Sequence, residues 1–114
     1  MLHLLVLRYR VAEHEAEPYV AEHVRYLERH HRAGTFLVSG QTVPSAHGGA
    51  IVARGVDRAA VERITTEDPF VRAGVAEYMV TTIDPGRVHP ALAELLGVGA
   101  SRVRPSPAGG EPVE

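Results

Sequence analysis

The chain predicts an α+β fold in which a four-stranded antiparallel sheet carries two helices on one face. Three observations lead there. An apolar opening segment is followed by a long amphipathic stretch bounded by Pro18 and Gly34. Two strand-like segments, TFLVSGQ and GAIVAR, then flank a connector that carries proline and glycine. Last, a short helical pattern after Asp57 leads through Asp68-Pro69-Phe70 into a further strand, VAEYMVTTI. The order βαββαβ is the ferredoxin-like arrangement.

Each element has its own signal. Residues 2–9 hold apolar side chains at both parities, as expected of a strand covered on both faces. Pro18 suits the first turn of a helix, where a missing N–H costs nothing, and the pattern continues to residue 33. Val20, Val24, Leu27 and His31 share one stripe, while Glu22, Arg25, Glu28, Arg29 and Arg32 occupy the other faces. Gly34 suits the turn out of that helix. Residues 35–41 and 49–54 form the second and third strands, joined by a loop long enough to reach over a site. Asp57 caps a second helix through residue 64, with Ala60, Val61 and Ile64 on its apolar side. Residues 75–83 form the fourth strand, which Asp84-Pro85-Gly86 ends, and residues 89–96 suit a short terminal helix. The expected domain covers residues 1–97. Residues 98–114, rich in Gly, Pro, Ser and Ala without apolar periodicity, read as a flexible tail.

Composition narrows the function classes. A hydrophobic share of 45% and a charged share of 23% are ordinary for a globular domain. A net charge of −2 gives no footprint for nucleic acid. All twelve basic residues are arginine, a bias of composition rather than a clustered basic face. The absence of cysteine excludes disulfides, thiolate nucleophiles and cysteine-based zinc sites. The opening run Leu2-His3-Leu4-Leu5-Val6-Leu7 is too short for a membrane span and lacks a basic leader, so no membrane association and a cytoplasmic location are expected.

Two helices cover one sheet face only, yet the first strand carries Leu2, Leu4 and Val6 on one parity and Leu5 and Leu7 on the other. A second apolar face calls for a cover, and two sheets packed face to face supply it. The expected assembly is a homodimer forming an α+β barrel.

The connector Glu67-Asp68-Pro69-Phe70-Val71-Arg72-Ala73-Gly74 is unusually specific, placing an acid, a helix-stopping proline, an aromatic anchor and a glycine between helix and strand. With His23, whose charge changes near neutral pH, it suggests a small His–Asp site. His23 lies roughly 60° from the centre of the apolar stripe, half buried at its edge. Two accounts of the pair stand side by side: a proton-transfer dyad with Asp68 orienting the imidazole, or a boundary histidine beside a carboxylate that only caps the turn at Pro69. Ser39-Gly40 ends a strand where a hydroxyl and bare backbone can meet a ligand, or where a bulge sits. Arg72 suits an anion or plain solvation. Tyr19, Tyr26 and His30 share the face of His23, either lining its cavity or packing on the sheet. His30 and His31 point about 100° apart and do not share one ion, so no metal is expected. No nicotinamide, flavin or haem fingerprint is present, and no cofactor is expected.

The segments Ala21-Glu22-His23-Val24-Arg25-Tyr26-Leu27, Phe36-Leu37-Val38-Ser39-Gly40, Gly49-Ala50-Ile51-Val52 and Asp68-Pro69-Phe70 with Gly74, in this order, resemble the YCII-related (YciI-like) family of the dimeric α+β-barrel superfamily. The resemblance spans about residues 2–83. It implies a dimer with a pocket lined by a histidine and an aspartate, which map to His23 and Asp68. Most members lack an assigned reaction, and a chlorinated-hydroquinone dehydrochlorinase is among the few that have one. Many relatives continue Ser-Gly-Pro where this chain has Ser39-Gly40-Gln41, a difference at the pocket rim. The function expected from the resemblance is a small cofactor-independent enzyme. His23 and Asp68 are its catalytic pair, Tyr26, Ser39, Gly40 and Arg72 contact a small cyclic or phenolic ligand, and proton transfer or elimination is the chemistry. The alternatives are a ligand-binding or interaction module on the same scaffold.

Overall fold

The computed structural model describes residues 1–97, and the tail expected from residue 98 onward lies outside them. The strands are β1 (Leu2–Tyr9), β2 (Phe36–Gln41), β3 (Gly48–Arg54) and β4 (Ala76–Ile83). The α-helices are α1 (Val20–Arg32), α2 (Arg58–Thr65), α3 (Pro69–Arg72) and α4 (Pro90–Ala93). The strands form one antiparallel sheet in the order β2-β3-β1-β4, the ferredoxin-like topology.

The cover of the sheet follows from strand period. His3, Leu5 and Leu7 are buried, as are Ile51 and Ala53 on β3 and Ala76 on β4, while Leu2, Leu4 and Val6 alternate toward the open face. The core under the helices joins Leu5, Ile51 and Ala53 to Tyr26 of α1, Phe36 of β2 and Val61 of α2. The expected cap of α2 is present: the Asp57 carboxylate accepts the Ala60 N–H at 2.7 Å. His3, fully buried on β1, donates from Nε2 to the Val56 carbonyl at 2.7 Å and accepts at Nδ1 from the Thr82 hydroxyl at 2.9 Å.

Three local expectations differ from the structure. Pro18 does not open an α-helix but lies inside a 3-10 segment, Glu13–Tyr19, which leads directly into α1. Without an N–H, Pro18 breaks the α-pattern, and the tighter turn tolerates it where Ala16 packs inward. The buried face of α1 is rotated from the aliphatic stripe: Val20 and Val24 are 43% and 42% exposed, and the buried residue is Tyr26. Rings set this orientation, since Tyr26 and His30 both pack on Phe36, at centroid distances of 5.7 and 4.9 Å. The irregularity of β2 falls between Phe36 and Val38 rather than at Gly40, which pairs regularly with Ala50.

Phe36 sits where α1 meets the sheet, with the rings of Tyr26, His30 and His31 against it, so Phe36→Ala is expected to destabilise the fold by about 3–5 kcal/mol. Urea denaturation followed by circular dichroism measures the loss, and a midpoint near that of the unaltered chain would show that the ring cluster does not set the helix face.

Candidate functional site

Thr66, Glu67 and Asp68 leave α2 as a short connector, and Pro69 at the start of α3 fixes the turn. Asp68 is N-cap there. Its Oδ1 accepts the Phe70 N–H at 2.9 Å and also the Nδ1–H of His23 at 2.9 Å. Its Oδ2 accepts the Tyr78 hydroxyl at 2.6 Å. The residue is 0% exposed. A buried carboxylate survives only when its lone pairs are met, and here three donors from α1, α3 and β4 meet them. The cap and the His–Asp contact, set apart as alternatives by the sequence, are both present on one oxygen.

His23 is held on two sides. The Phe70 ring stacks on the imidazole at a centroid distance of 4.1 Å and 13° between planes. Tyr26 lies on another side at 6.2 Å. With Nδ1–H committed to Asp68, Nε2 is the nitrogen left for a ligand. Burial, then the neighbouring Tyr26 and the Asp68 charge, push the Tyr78 phenol far above its ordinary value, so it stays a donor. Tyr26 is likewise raised, chiefly by burial and then by Asp68.

His23 borders a cavity of about 290 Å³ between α1 and the sheet, near the lower end for small-molecule sites. Its floor is a cross-strand row, Gln41–Gly49–Leu7–Tyr78. Gly49 leaves that row open, and a Cβ there would stand 2.8 Å from the Gly40 carbonyl oxygen. At Gly48 φ is 137°, and a Cβ would meet the Leu7 carbonyl at 2.0 Å, so the third strand begins on a backbone that only glycine suits. Val20, Val24 and Leu27 form the helix wall, which explains the exposure of the two valines. Tyr9 lines the same space, its phenol raised by burial, then by Glu13 and Asp68.

Of the residues singled out in the sequence, His23, Ser39 and Gly40 reach the cavity, with Asp68 directly behind His23. Tyr26 does not line it. Its ring is buried behind His23, and its hydroxyl donates to the Ile64 carbonyl at 3.0 Å. Arg72 lies on the outer surface, where its Nε donates to the Thr66 carbonyl at 3.2 Å. Tyr78 was not anticipated, although the period of β4 places Ala76, Tyr78 and Val80 on the helix side. His30 pairs instead with Glu67 at 2.9 Å, joined by Arg29 at 3.1 Å. Burial opposes ionisation of Glu67, but the hydrogen bonds from His30 and Arg29 outweigh it and hold the carboxyl below its ordinary value. No helix among the described residues is long and apolar enough to cross a membrane.

The sequence profile of the YCII-related domain matches residues 1–84, the whole of the sheet and the cavity. The chain belongs to the YCII-related domain family. No curated protein matches by sequence. Among solved structures, this YCII-related chain is similar to 5-chloro-2-hydroxyhydroquinone dehydrochlorinase from Burkholderia phenoliruptrix AC1100, in complex with 2,5-dihydroxybenzoquinone. The TM-score is 0.63 at 22% identity, covering 75% of this chain and 96% of that one. The likeness is one of fold.

Two outcomes follow from the geometry. Tyr78→Phe removes one of the donors to a buried carboxylate and is expected to cost about 3 kcal/mol in chemical denaturation. A loss below ~0.5 kcal/mol would mean that Oδ2 finds water instead. Because the Glu67 carboxyl is lowered in the fold, it contributes stability that is present above the ordinary glutamate value and lost as pH falls through the folded value. Glu67→Gln should therefore flatten the acid limb of the stability profile between about pH 5 and pH 3. An unchanged acid limb would exclude this carboxyl as a source of it.

Proposed function

We propose that the protein is a small cofactor-independent enzyme that transfers a proton, or eliminates a small acid, on a compact cyclic or phenolic substrate. His23 is the base and Asp68 its orienting partner. One observation carries the reading: the His23 imidazole is clamped between the Phe70 ring and a buried, fully hydrogen-bonded carboxylate while bordering a small, mostly apolar cavity. A histidine held only for packing needs no space beside it.

The chemistry is proton removal by Nε2. A substrate hydroxyl passes its proton there, and the Asp68 carboxylate stabilises the imidazolium that results. The dehydrochlorinase likeness supports elimination as the form this takes. In the keto tautomer of a halogenated polyphenol, the carbon that bears halogen is tetrahedral and holds a hydrogen. Removing a conjugated hydroxyl proton turns the O–H pair into a carbonyl bond, the ring double bond shifts, and the carbon–halogen bond breaks with its pair. Halide and a proton leave, and the loss of halide balances the oxidation of the ring, so no outside oxidant is required.

The substrate-contacting groups in this reading are Ser39 and Gly40 on the wall opposite α1. We also infer a homodimer through the open sheet face. Val38 and Met79 stand there 62% and 63% exposed beside Leu4 and Val6, an apolar surface that a second sheet covers.

Turnover of chlorinated and unsubstituted hydroquinones by the purified chain, followed by halide release and quinone absorbance, tests the activity. His23→Ala is expected to lower turnover by about 10²–10⁴-fold, and Asp68→Asn by a similar factor. The double variant should be no slower than the worse single one, since groups that work as a unit fail together. Tight binding without turnover would convert the reading to a binding module. Light scattering after size exclusion tests the assembly: twice the chain mass is expected at micromolar concentration, and a monomer there would sink the face-to-face arrangement.

A further inference from the structure

A second hydrogen-bonded pair borders the same cavity. His31 lies two helical turns beyond His23 on α1, and its Nε2 shares a 2.8 Å hydrogen bond with the hydroxyl of Ser39 on β2. Ser39 lines the cavity and His31 does not, so the arrangement repeats that of His23 and Asp68: one group meets the ligand space and a second fixes it from behind. The His31 ring is itself steadied edge-on against Phe36, at 6.0 Å and 85°. A serine hydroxyl on a strand otherwise rotates freely, with one proton to give and two lone pairs to receive with. Tied to an imidazole nitrogen, it presents one fixed direction to whatever occupies the cavity.

Helix geometry gives the separation. Eight residues along α1 advance about 12 Å on the helix axis, and the two side chains lean alike toward the N-terminus, so their ends keep that order of spacing. Between the ends stand Val24 and Leu27, which offer no hydrogen bonds. The space therefore has a polar group at each end and an apolar middle, suited to one flat ring with an oxygen on opposite sides.

We propose that His31 and Ser39 form a second polar pole of the cavity, with His31 a positioning residue that holds the Ser39 hydroxyl to grip the ligand oxygen farthest from His23. This rests on the small-molecule reading of the cavity and adds to it a selection for rings oxygenated at both ends over rings oxygenated at one.

Calorimetric titration of the full chain with 2,5-dihydroxybenzoquinone and with phenol tests the selection. Ser39→Ala and His31→Leu are each expected to weaken binding of the doubly oxygenated ring about 5–10-fold, the worth of one hydrogen bond, and to weaken phenol binding by less. His31→Gln, which keeps a polar partner for the hydroxyl, should recover most of the loss. In the Ser39→Ala background, His31→Leu should add nothing. A further loss in that background, an equal loss for both rings, or full binding by His31→Leu would each overturn the proposal. Nitrogen NMR of the imidazoles supplies a readout that needs no ligand. Ser39→Ala should move the His31 Nε2 signal and leave those of His23 in place, and an unmoved His31 signal would overturn the pair whatever binds. If the unaltered chain binds neither ring while the His31 signal does move, the pair exists but the small-molecule reading fails, and the selective role fails with it.

Discussion

A carboxylate taken fully out of water has to be compensated group by group, and the centre of this fold is arranged around that requirement at Asp68. The Phe70 N–H, the His23 imidazole and the Tyr78 hydroxyl come from a short helix, a long helix and an edge strand, and all three converge on this carboxylate. Loss of one donor leaves part of a buried charge unpaired, so the elements are coupled more tightly than their apolar contacts alone require. Phe70 takes part twice, through its backbone to the carboxylate and through its ring to the imidazole. The position and the tautomer of His23 are thus consequences of how a helix turn starts.

The cavity has an equally plain origin. Where Leu7 faces Gly49 across the sheet, a side chain is missing from the row that lies beneath α1. Two residues along the same strand pair, Leu5 faces Ile51 and the space is filled by the core. The same layer is therefore packed at one end and open at the other, and the helix above it changes from Tyr26 and His30, which fill space, to Val20 and Val24, which border it.

The sequence carried most of the scaffold because its signals are local. Proline and glycine positions, the Asp57 cap and the two-parity pattern of β1 place the elements and their order without knowledge of what they touch. The face of α1 was misjudged because hydropathy ranks valine above tyrosine and histidine, whereas the observed face follows ring packing against Phe36. At the site, His23 and Asp68 were legible through the Asp-Pro-Phe connector, and Ser39-Gly40 through its place at a strand end. Tyr78 was not, since its role arises from pairing across the sheet and from a connector folded back over β4, both distant in sequence. Arg72 and Tyr26 share segments with true neighbours of the cavity but point elsewhere, a distinction set by fractions of a helical turn.

The doubly used oxygen of Asp68 bears on how this chain can vary. In many sites the groups that do chemistry burden the fold, and substitutions there make it more robust. Here the atom that stops a helix turn from fraying is the atom that steers the imidazole. A drift toward greater robustness has nothing to gain at that position, because any change there removes the cap and the imidazole's partner together. A substitution at Asp68 therefore acts on the start of α3 and on the setting of His23 at the same time.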